Sequence, residues 1–493
     1  MQEIELKFLV PDAKIDAIKR QTHVKSAVTE TLAAHYFDTP EQHLAKAGMA
    51  LRIRQEGDEW VQTLKMNGNG LTSRTEFNNV QDSQQIKQAL ATDSLLPDLS
   101  PYAKQADLPI NDKRIQQQLT RQYITDVSRT KRLIKQDGNV VEVAFDMGKV
   151  IHGTDSNNQQ SLQEIEFELI EGDVAFLFDT AKTWCRRYTL CLSTVTKAER
   201  GSMLLTGQKH GNATKADLSA LQVDKNMSQG AFMRAVVHHC LLQILPNASA
   251  IVAGSQDGNH VHQLRVGIRR LRTALKSFDG FSKQLNPDWA LVLKQTFSLL
   301  GEYRDCDVLQ NKTQPMLETQ GSPKVDWQID IKVMPIDAVR ANDFQLTLLD
   351  LMAFALSDDK DDTQKPAKAK LSKIMTKLFG KITNASERFA DLDVEAQHDV
   401  RKQLKSLRYI SEFAAPMYQA KKSKKFLRHL EPAQDILGEY NDNMVGYDFY
   451  QHKASTDPNA YFAVGWFYAQ RQQAAKVCAN ALKTVKDAPK FWD

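Results

Sequence analysis

The sequence predicts an α+β protein in two successive parts, an antiparallel β-barrel with helices outside it and then an all-helical region. Over roughly the first 200 residues, apolar and polar side chains alternate in short segments separated by Gly- and Asn-rich turns. From about Asp224 onward the alternation gives way to long segments with a period of 3.6 residues. A chain of 493 residues is also too long for one compact core.

The composition is that of an ordinary soluble globular protein, with 42% hydrophobic and 25% charged residues. The net charge is only +4, so any strongly basic surface has to be local. The five cysteines form no CxxC pair and no metal-finger spacing, which is typical of reduced thiols in a cytosolic protein. The sequence has no basic leader and no apolar run of the roughly 18 to 20 residues that a membrane span needs. We therefore expect a cytoplasmic protein without a membrane partner.

The predicted strands place charged side chains on one face and apolar side chains on the other. In the opening segment MQEIELKF, the residues Glu3, Glu5 and Lys7 share a face. The same arrangement recurs in later segments that carry Arg52 and Arg54, Lys65, Arg74 and Glu76, Arg129 and Lys131, Glu142 and Asp146, and Glu164, Glu166 and Glu168. A solvated face explains one such strand, but the repetition favours charged faces that point inward.

The apolar faces need a cover, which the helical stretches DAKIDAIKRQTH and DVAFLFDTAKTWCRRY can supply from outside. The charged faces then meet across a closed sheet. Burying unpaired charge costs several kcal/mol per ion, so such an interior has to be hydrated and its charges partnered. Carboxylate oxygens suit Mg²⁺ or Mn²⁺, and Lys and Arg suit phosphate oxygens. A polyanion bound together with divalent cations satisfies both sets of charges.

This half of the sequence resembles a known family, the CYTH domain, also called the triphosphate tunnel metalloenzymes. The ExExK signature of the family stands at Glu3, Glu5 and Lys7. Further family motifs follow in the expected order, namely YFDTP from Tyr36, LRIR from Leu51, TLK ending at Lys65, RTE from Arg74, DxG from Asp146, the EIEFEL strand and TKAERG with Lys197. The ordered set covers about residues 1 to 205 and is far more specific than ExExK alone. The resemblance implies an eight-stranded antiparallel tunnel barrel with outer helices that acts on triphosphates with a divalent metal.

The resemblance also implies roles for individual residues. The implied metal ligands are Glu3, Glu5, Asp146, Glu166 and Glu168, with Mg²⁺ or Mn²⁺ as cofactor. The implied substrate-binding bases are Lys7, Arg52, Arg54, Lys65, Arg74, Arg129 and Lys197. The catalytic candidates are Glu5, Lys7 and Glu168, of which Glu5 or Glu168 would take the proton of an attacking water. The hairpin NGNGLTSRTEF can slip register, which leaves Arg74 and Glu76 less firmly matched, and Lys131 and Arg132 compete with Arg129 for the same reason.

The expected chemistry follows from charge. Phosphoryl transfer needs positioning and neutralisation of negative charge more than covalent help. We expect one metal and the arginines to hold the triphosphate, while a second metal lowers the pKa of a water for in-line attack. A Walker-type phosphate loop and a nucleophile–base arrangement are both absent from this half of the sequence.

The helical region repeats itself. HQLRVGIRRLR from His262 matches HDVRKQLKSLR from His398, and LLGEYRDCD from Leu299 matches ILGEYNDNM from Ile436. Matched blocks in the same order and at nearly equal distances indicate an internal duplication. The polar stretch GQKHGNATKADLS reads as a linker, so we predict domains at residues 1–205 and 224–490 with a linker at 206–223.

Each repeated helix carries a basic face headed by a histidine. On a helical wheel these side chains lie within about an 80° arc, beside an apolar arc. They are His262, Arg265, Arg269 and Arg272 in the first copy and His398, Arg401, Lys405 and Arg408 in the second. A single histidine among arginines repels a cation, so an anion is favoured over a metal, and binding should weaken with salt. Nucleic acid is not expected as a partner, because aromatic side chains for base stacking are sparse on these faces.

This half resembles the CHAD domain over about residues 224 to 490. That family forms two four-helix bundles related by a duplication and is associated with binding inorganic polyphosphate. The resemblance implies polyphosphate-binding roles for His262, Arg265, Arg269, Arg270, Arg272, His398, Arg401, Lys402, Lys405 and Arg408. The second copy has Lys405 and Ser406 where the first has Arg269 and Arg270, so we expect it to hold the anion more weakly.

Together the two resemblances imply an inorganic triphosphatase, a phosphoric anhydride hydrolase of a kind found in bacteria. It would convert inorganic triphosphate to pyrophosphate and phosphate in the tunnel and bind inorganic polyphosphate through the helical domain. The alternatives are a thiamine or nucleoside triphosphatase, an adenylate cyclase, and a non-catalytic polyphosphate-binding protein. The products separate these hypotheses, because a binder releases no phosphate and a cyclase releases pyrophosphate.

Overall fold

The computed structural model describes residues 2–67, 70–103, 113–327, 331–358 and 362–493. Within these ranges the side chains at positions 2, 3, 67, 73, 74, 472 and 473 are outside the description. Two predicted site residues, Glu3 and Arg74, therefore have side chains that lie outside the described part of the protein.

The first part of the chain folds into an antiparallel sheet of nine strands. They are β1 (Gln2–Leu9), β2 (Val28–Asp38), β3 (Met49–Glu56), β4 (Glu59–Asn67), β5 (Ser73–Gln81), β6 (Thr120–Gln136), β7 (Asn139–His152), β8 (Gln159–Glu171) and β9 (Cys191–Leu192). Their order is β5-β4-β3-β2-β6-β7-β8-β1-β9, and a further pairing of β5 with β1 closes a ring. The short strand β9 pairs with the end of β1 outside that ring.

Several helices lie between the strands of the first part, and the second part of the chain is made of helices. They are α1 (Ile15–Thr22), α2 (His43–Lys46), α3 (Ser83–Ala91), α4 (Lys113–Gln118), α5 (Val174–Tyr188), α6 (Lys197–Thr206), α7 (Gln229–Val252), α8 (Gly258–Ser277), α9 (Pro287–Val308), α10 (Gln314–Thr319), α11 (Pro335–Arg340), α12 (Asn342–Leu356), α13 (Ala367–Ser386), α14 (Val394–Ala414), α15 (Ala420–Lys453) and α16 (Tyr461–Lys486). Side-chain caps start several of them, for example Asp173 before α5 and Asp393 before α14.

Much of the apolar side of the sheet packs against helices. Phe8 of β1 and Phe167 of β8 meet edge to face with ring centroids 5.6 Å apart, and Phe167 packs in the same way on Trp184 of α5. On another side, Leu51 of β3 belongs to a buried cluster with Ile86 of α3. The strand period of two therefore leaves the other faces of β1, β3 and β8 for charged side chains.

The chain divides into two compact units. The first comprises residues 1–214, 244–260 and 339–353, and the second comprises residues 215–243, 261–338 and 354–493. Helix α7 is the one described helix with the length and apolar composition that a membrane span requires, and most of it is buried inside the protein. The sequence analysis did not anticipate such a helix, because its apolar residues are interrupted by histidines and glutamines.

The predicted fold class is confirmed, since an antiparallel sheet with helices precedes an all-helical part. The strand count differs by one. Eight strands form the ring as predicted, and the ninth is the two-residue strand β9, which is too short to show an alternating pattern. The arrangement of the helical part as two four-helix bundles stays a prediction.

Candidate active site and basic cluster

A cavity of about 340 Å³ lies among the charged faces of the strands. Its described wall includes every predicted tunnel residue whose side chain is described, except Asp146. Seven carboxylates and seven bases line it, namely Glu5, Glu30, Glu56, Glu76, Glu142, Glu166 and Glu168 with Lys7, Arg52, Arg54, Lys65, Arg129, Lys131 and Lys197. The charged faces predicted from the alternation therefore meet in one cavity.

Strand register determines which of these charges become neighbours. Glu5 of β1 lies opposite Glu168 of β8, which lies opposite Glu142 of β7. One pleat further along, Lys7 lies opposite Glu166. Directly opposite residues in antiparallel strands have Cβ atoms about 4.5–5.5 Å apart, so the register alone forms a row of three carboxylates beside an ion pair.

Lys197 is the first residue of helix α6, and its side chain contacts three carboxylates of the strands. Its Nζ lies 2.8 Å from Asp146, 2.6 Å from Glu164 and 2.9 Å from Glu166. The helix starts with a capping box, in which the Thr196 side chain accepts from the Glu199 N–H and the Glu199 carboxylate accepts from the Thr196 N–H. Because the capping box fixes the start of α6, it also fixes the ammonium among the carboxylates.

Arg129 and Lys7 complete this network. Arg129 donates to both carboxylate oxygens of Asp146, at 2.8 and 2.7 Å, and also to Glu166. Lys7 lies 3.2 Å from Glu166. Burial alone would raise the pKa of Glu166, but Lys197, Lys7 and Arg129 hold this pKa well below its usual range. The same carboxylates raise the pKa of Lys197 against the effect of burial, so both partners are charged at neutral pH.

Glu168 has the opposite shift. Burial and the nearby carboxylates of Glu142 and Glu5 raise the pKa of Glu168 to about 7, while Lys65 opposes the rise. A carboxylate that titrates near neutral pH can accept or donate a proton during a reaction. The row of three acids in the register therefore adds to the effect of burial on this pKa.

Oxygen atoms of Asp146, Glu164 and Glu166 lie within 4.8 Å of one another and could hold a metal ion. All three side chains are buried, and a set of carboxylate oxygens suits a hard divalent cation. The sequence analysis placed Glu164 on the charged face of its strand but did not include it among the metal ligands. The alternation placed Glu164, Glu166 and Glu168 on one face of the strand. It did not show that Glu164 and Glu166 are the two that lie next to Asp146.

The remaining bases of the cavity are also paired with acids in the structure. Lys131 lies 2.9 Å from Glu30, Lys65 pairs with Glu76, and Arg54 Nε donates to Glu56 at 2.9 Å. Lys65 and Glu76 are direct partners between β4 and β5, which settles a hairpin register that the sequence had left open. Both Arg129 and Lys131 face the cavity, whereas Arg132 turns away and donates to the Gln21 carbonyl at 2.8 Å.

Tyr36 also lines the cavity, and the sequence analysis did not assign it a role. It lies opposite Arg52 in the strand register and stacks on Tyr123 with ring centroids 4.7 Å apart. The Tyr123 hydroxyl donates to the Ala198 carbonyl at 3.1 Å, next to Lys197. Burial would raise the pKa of Tyr36, but Arg52 and Lys197 lower it below its usual value. Tyr36 begins the YFDTP motif, which was the signal that could have identified it.

In the second unit, the two repeated helices contribute to one basic cluster, which we define as His262, Arg265, Arg269, Arg304, Arg401 and Lys405. Burial and the neighbouring Arg269 and Arg401 lower the pKa of Lys405 to about 7. Burial and the surrounding guanidinium groups also lower the pKa of His262. The two helices also touch directly, since Arg269 Nε of α8 donates to the Tyr409 hydroxyl of α14 at 3.1 Å. The sequence analysis did not predict that the two basic faces meet.

Two aspartates from the second repeated block lie beside the basic cluster. Asp305 belongs to LLGEYRDCD and Asp442 to ILGEYNDNM. Burial and the proximity of Asp442 raise the pKa of Asp305, while Arg265 opposes the rise. The sequence analysis aligned these blocks but assigned no site residue in them, although the equal spacing of the repeats was a signal that both blocks face the same place.

Other predicted polyphosphate-binding residues lie in different surroundings. Arg270 is 3% exposed, pairs with Glu412 and lies over the Phe413 ring. Arg408 also contacts Glu412, at 2.8 Å. Two further members lie at the edge of the basic cluster, since Arg272 shares the Phe297 ring with Arg265 and His398 lies near Arg401. Lys402 is exposed and lies 3.1 Å from Asp399. The structure therefore brings together about half of the predicted set.

Residues 1–202 match the family model of the CYTH domain, and residues 235–451 match that of the CHAD domain. The chain therefore contains a CYTH domain followed by a CHAD domain, and both resemblances are confirmed. It is similar to the inorganic triphosphatase of Haemophilus influenzae, with 36% identity over 211 residues that cover 41% of this chain and 55% of that protein. The aligned region thus spans about half the length of this curated relative.

Two solved structures are each similar to one part of the chain. The CHAD domain from the plant Ricinus communis is 26% identical, with a TM-score of 0.47, covering 57% of this chain and 99% of that chain. An adenylyl cyclase-like protein from Hippeastrum, described as having a dominant triphosphatase activity, is 16% identical with a TM-score of 0.29, covering 42% of this chain and 96% of that chain.

Proposed function

We propose that this protein is a divalent-metal-dependent inorganic triphosphatase that hydrolyses inorganic triphosphate to pyrophosphate and phosphate. The observation that carries the proposal is the cavity in the barrel, where the described side chains include seven carboxylates and seven bases that face one another. The similarity to the inorganic triphosphatase of Haemophilus influenzae supports this substrate class. The domain limits that go with the proposal remain those from the sequence, 1–205 and 224–490 with a linker at 206–223.

In this proposal the bases of the cavity bind the phosphate chain. Arg52, Arg54 and Lys65 supply positive charge from β3 and β4, and Lys7, Arg129 and Lys197 supply it from β1, β6 and α6. Guanidinium groups match phosphate oxygens with paired hydrogen bonds, and ammonium groups act as point charges. When these bases fix the triphosphate in one position, the loss of its translational and rotational entropy occurs on binding and no longer adds to the barrier of the chemical step.

The carboxylates fit a divalent cation. Those that would hold it are Glu5, Asp146, Glu166 and Glu168 of the predicted set, joined by Glu164, and their oxygens suit Mg²⁺ as well as Mn²⁺. Bound there, the cation would neutralise phosphate charge and lower the pKa of a bound water. Glu168, with a pKa of about 7, is suited to take a proton from the attacking water.

The test of the activity is a substrate panel with the full chain. We expect inorganic triphosphate, with Mg²⁺ or Mn²⁺ present, to yield equal amounts of phosphate and pyrophosphate, and we expect chelation of the metal to stop the reaction. Thiamine triphosphate, ATP and polyphosphate are measured in parallel, with every product quantified. Pyrophosphate with cyclic AMP from ATP would identify a cyclase instead, and the absence of phosphate release from every substrate would leave a binding protein.

The first residue to test is Glu5. We expect Glu5→Gln to reduce kcat by at least about a hundredfold, because it removes one carboxylate charge from the site of the cation and the water. Circular dichroism should show an unchanged fold. Glu171→Gln, at the exposed end of β8, is the matched control and should keep full activity. A Glu5→Gln protein with nearly normal turnover would contradict the metal-ligand assignment.

We further propose that the CHAD domain binds inorganic polyphosphate at the basic cluster. Five of its members are arginines or lysines contributed by α8, α9 and α14, and they lie around two aspartates, Asp305 and Asp442. A half-buried excess of positive charge is stabilised by an anion with many phosphate groups. The site is assigned to polyphosphate because the phosphate chain supplies repeated charges without needing aromatic partners.

The test for the basic cluster is a double variant. We expect Arg265→Ala combined with Arg401→Ala to weaken polyphosphate binding by roughly tenfold or more, since two charged contacts are lost, while triphosphate hydrolysis continues. Titration of polyphosphate at several salt concentrations measures the effect, and the salt dependence should also become shallower. Lys377→Ala, on the exposed surface of α13, is the control. Unchanged affinity in the double variant would remove the cluster as the binding site.

A further inference from the structure

Strand β3 ends with three charged side chains on the same face, Arg52, Arg54 and Glu56, all of which line the cavity. Arg54 Nε donates to Glu56 Oε1 at 2.9 Å, and its Nη2 donates to the same oxygen. Arg52 Nη2 lies 3.9 Å from that oxygen. One carboxylate oxygen is therefore shared by two arginines that the proposed function assigns to the substrate.

Of the two arginines, Arg54 is the one that most needs a counterion, because Tyr36 and Glu76 also lie near Arg52 and raise its pKa against the effect of burial. Burial and the nearby Arg52 lower the pKa of Arg54, with Arg129 adding to the effect, so the guanidinium groups of the cavity crowd one another. Glu56 relieves this crowding in the structure. Because its own pKa is lowered by Arg54 and Arg52 against the effect of burial, Glu56 is ionised when the arginines are unoccupied.

Glu56 differs in position from the carboxylates that suit a metal. It is 40% exposed in its side chain, compared with 9% for Arg52 and 18% for Arg54, and it is the last residue of its strand before the turn at Gly57. Asp146, Glu164 and Glu166 are buried together and would gain a cation when the site fills. Glu56 lies outside that group and can instead move into solvent when another anion takes its arginines.

We propose that Glu56 competes with the phosphate chain for Arg52 and Arg54 and thereby limits how tightly the cavity holds substrate and product. When the phosphate chain binds, the carboxylate leaves the arginines and is hydrated at the rim of the cavity. When a phosphate product leaves, the carboxylate returns and replaces it as the counterion. This inference rests on the proposed function, and it assigns to Glu56 an affinity-limiting role that is separate from the chemical step.

The size of the effect follows from the exposure of the pair. Partly exposed ion pairs contribute little, and their loss changes an equilibrium by roughly two- to fivefold. Since the phosphate chain has to break the contacts of Glu56 before it can use the arginines, removing the negative charge should tighten anion binding by about that factor. The chemical step should be unchanged, because Glu56 supplies no group to the carboxylate cluster.

The test compares Glu56→Gln and Glu56→Ala with Glu59→Gln in the full-length protein. Glu59 lies directly opposite Glu56 across the same hairpin, is exposed, and is not part of the cavity wall, so it is a matched control. Calorimetric titration with inorganic triphosphate in the absence of metal measures affinity without turnover. Kinetics with Mg²⁺ then give kcat, KM and the inhibition constant of pyrophosphate.

We expect both Glu56 variants to bind triphosphate two- to fivefold more tightly, with KM and the pyrophosphate inhibition constant lowered to the same extent and kcat not increased. Unchanged or weaker binding in both variants, with thermal unfolding as in the wild type, overturns the inference. A loss of kcat with unchanged affinity also overturns it and would place Glu56 in the chemical step. If the wild-type protein binds triphosphate but does not hydrolyse it, the proposed function fails, while the titration still decides the role of Glu56.

Discussion

At the scale of a single residue, Lys405 connects the charge of the basic cluster to pH. Burial lowers the pKa of Lys405 most. Arg269 and Arg265 of α8 and Arg401 of α14 lower it further, and Asp442 of α15 raises it. With a pKa of about 7, the Lys405 side chain is mostly a neutral amine at pH 8.5 in the protein without a ligand. A bound polyanion favours the charged form, so binding takes up a proton above neutral pH.

We predict that polyphosphate affinity rises by up to about twentyfold as the pH falls from about 8.5 to about 6.5. Titrations in buffers of different ionisation enthalpy should also detect the proton uptake. Lys405→Arg keeps the positive charge at all these pH values, because arginine does not lose its proton, and should flatten the dependence. A wild-type affinity that does not vary with pH, or a variant with the same pH dependence, would show that Lys405 does not control binding.

The residues of the site illustrate what a sequence can and cannot specify. Alternation correctly placed Glu5, Lys7 and Glu166 on inward faces, because side-chain direction follows from the strand period alone. It could not rank Glu164 against Glu168, because Glu164 joins the buried group through Lys197, which comes from a helix about 30 residues later. The partners of Arg52 and Arg54 were also invisible, since ion pairs depend on rotamers that the pattern does not contain.

At the scale of an element, helix α6 is held against the barrel by a glycine. A Cβ added at Gly201 would overlap the ring of Tyr123, which is itself stacked on Tyr36. The close approach lets the first residue of the helix, Lys197, reach Asp146, Glu164 and Glu166. The position of the helix is therefore part of the geometry of the cavity.

We predict that Gly201→Ala destabilises the protein by about 1–3 kcal/mol, because the extra methyl group overpacks the contact with Tyr123. The displaced ammonium of Lys197 should also lower kcat/KM for triphosphate by roughly ten- to a hundredfold. Thermal unfolding and steady-state kinetics measure the two effects. Gly211→Ala is the control, because a methyl group there meets open space. Wild-type stability and activity in Gly201→Ala would show that α6 tolerates displacement.

The strands of the barrel were more predictable than their pairing. The alternating segments of the sequence overlap the observed strands β1, β3, β4, β5, β6, β7 and β8, whereas β2 was not predicted as a strand. Register depends on turn geometry and on pairs far apart in sequence, such as Glu5 with Glu168, so it emerged only from the structure. The two-residue strand β9 depends on its pairing with β1, and its sequence alone carries no sign of it.

At the scale of the whole molecule, the first compact unit includes residues that are far apart in sequence. The Leu192 N–H of β9 donates to Gln345 Oε1 of α12 at 2.8 Å, and Gln345 Nε2 donates to the Val339 carbonyl at 2.7 Å. Gln345 is 1% exposed. A domain boundary placed at residue 205 from the composition separates Leu192 from Gln345. Composition describes a local stretch of sequence and contains no information on contacts between distant residues.

We predict that Gln345→Ala lowers the free energy of unfolding by about 1–3 kcal/mol, since it leaves the buried Leu192 N–H without its acceptor. The melting temperature of the affected transition should fall by several degrees, about 2–4 °C per kcal/mol for a unit of this size. Gln320→Ala, at an exposed helix end, should change neither value. Equal melting temperatures for wild type and Gln345→Ala would indicate that residues 339–353 contribute little to the stability of the first unit.

The balance of charges on the described cavity wall has a thermodynamic consequence. Seven acids and seven bases line this wall, and Glu168 among them titrates near neutral pH, so the charges almost cancel. A phosphate chain entering alone would make the interior strongly negative, and a cation entering alone would make it positive. Each therefore corrects the imbalance that the other creates. Triphosphate and cation should accordingly show positive heterotropic cooperativity, and linkage requires the effect to be the same in both directions.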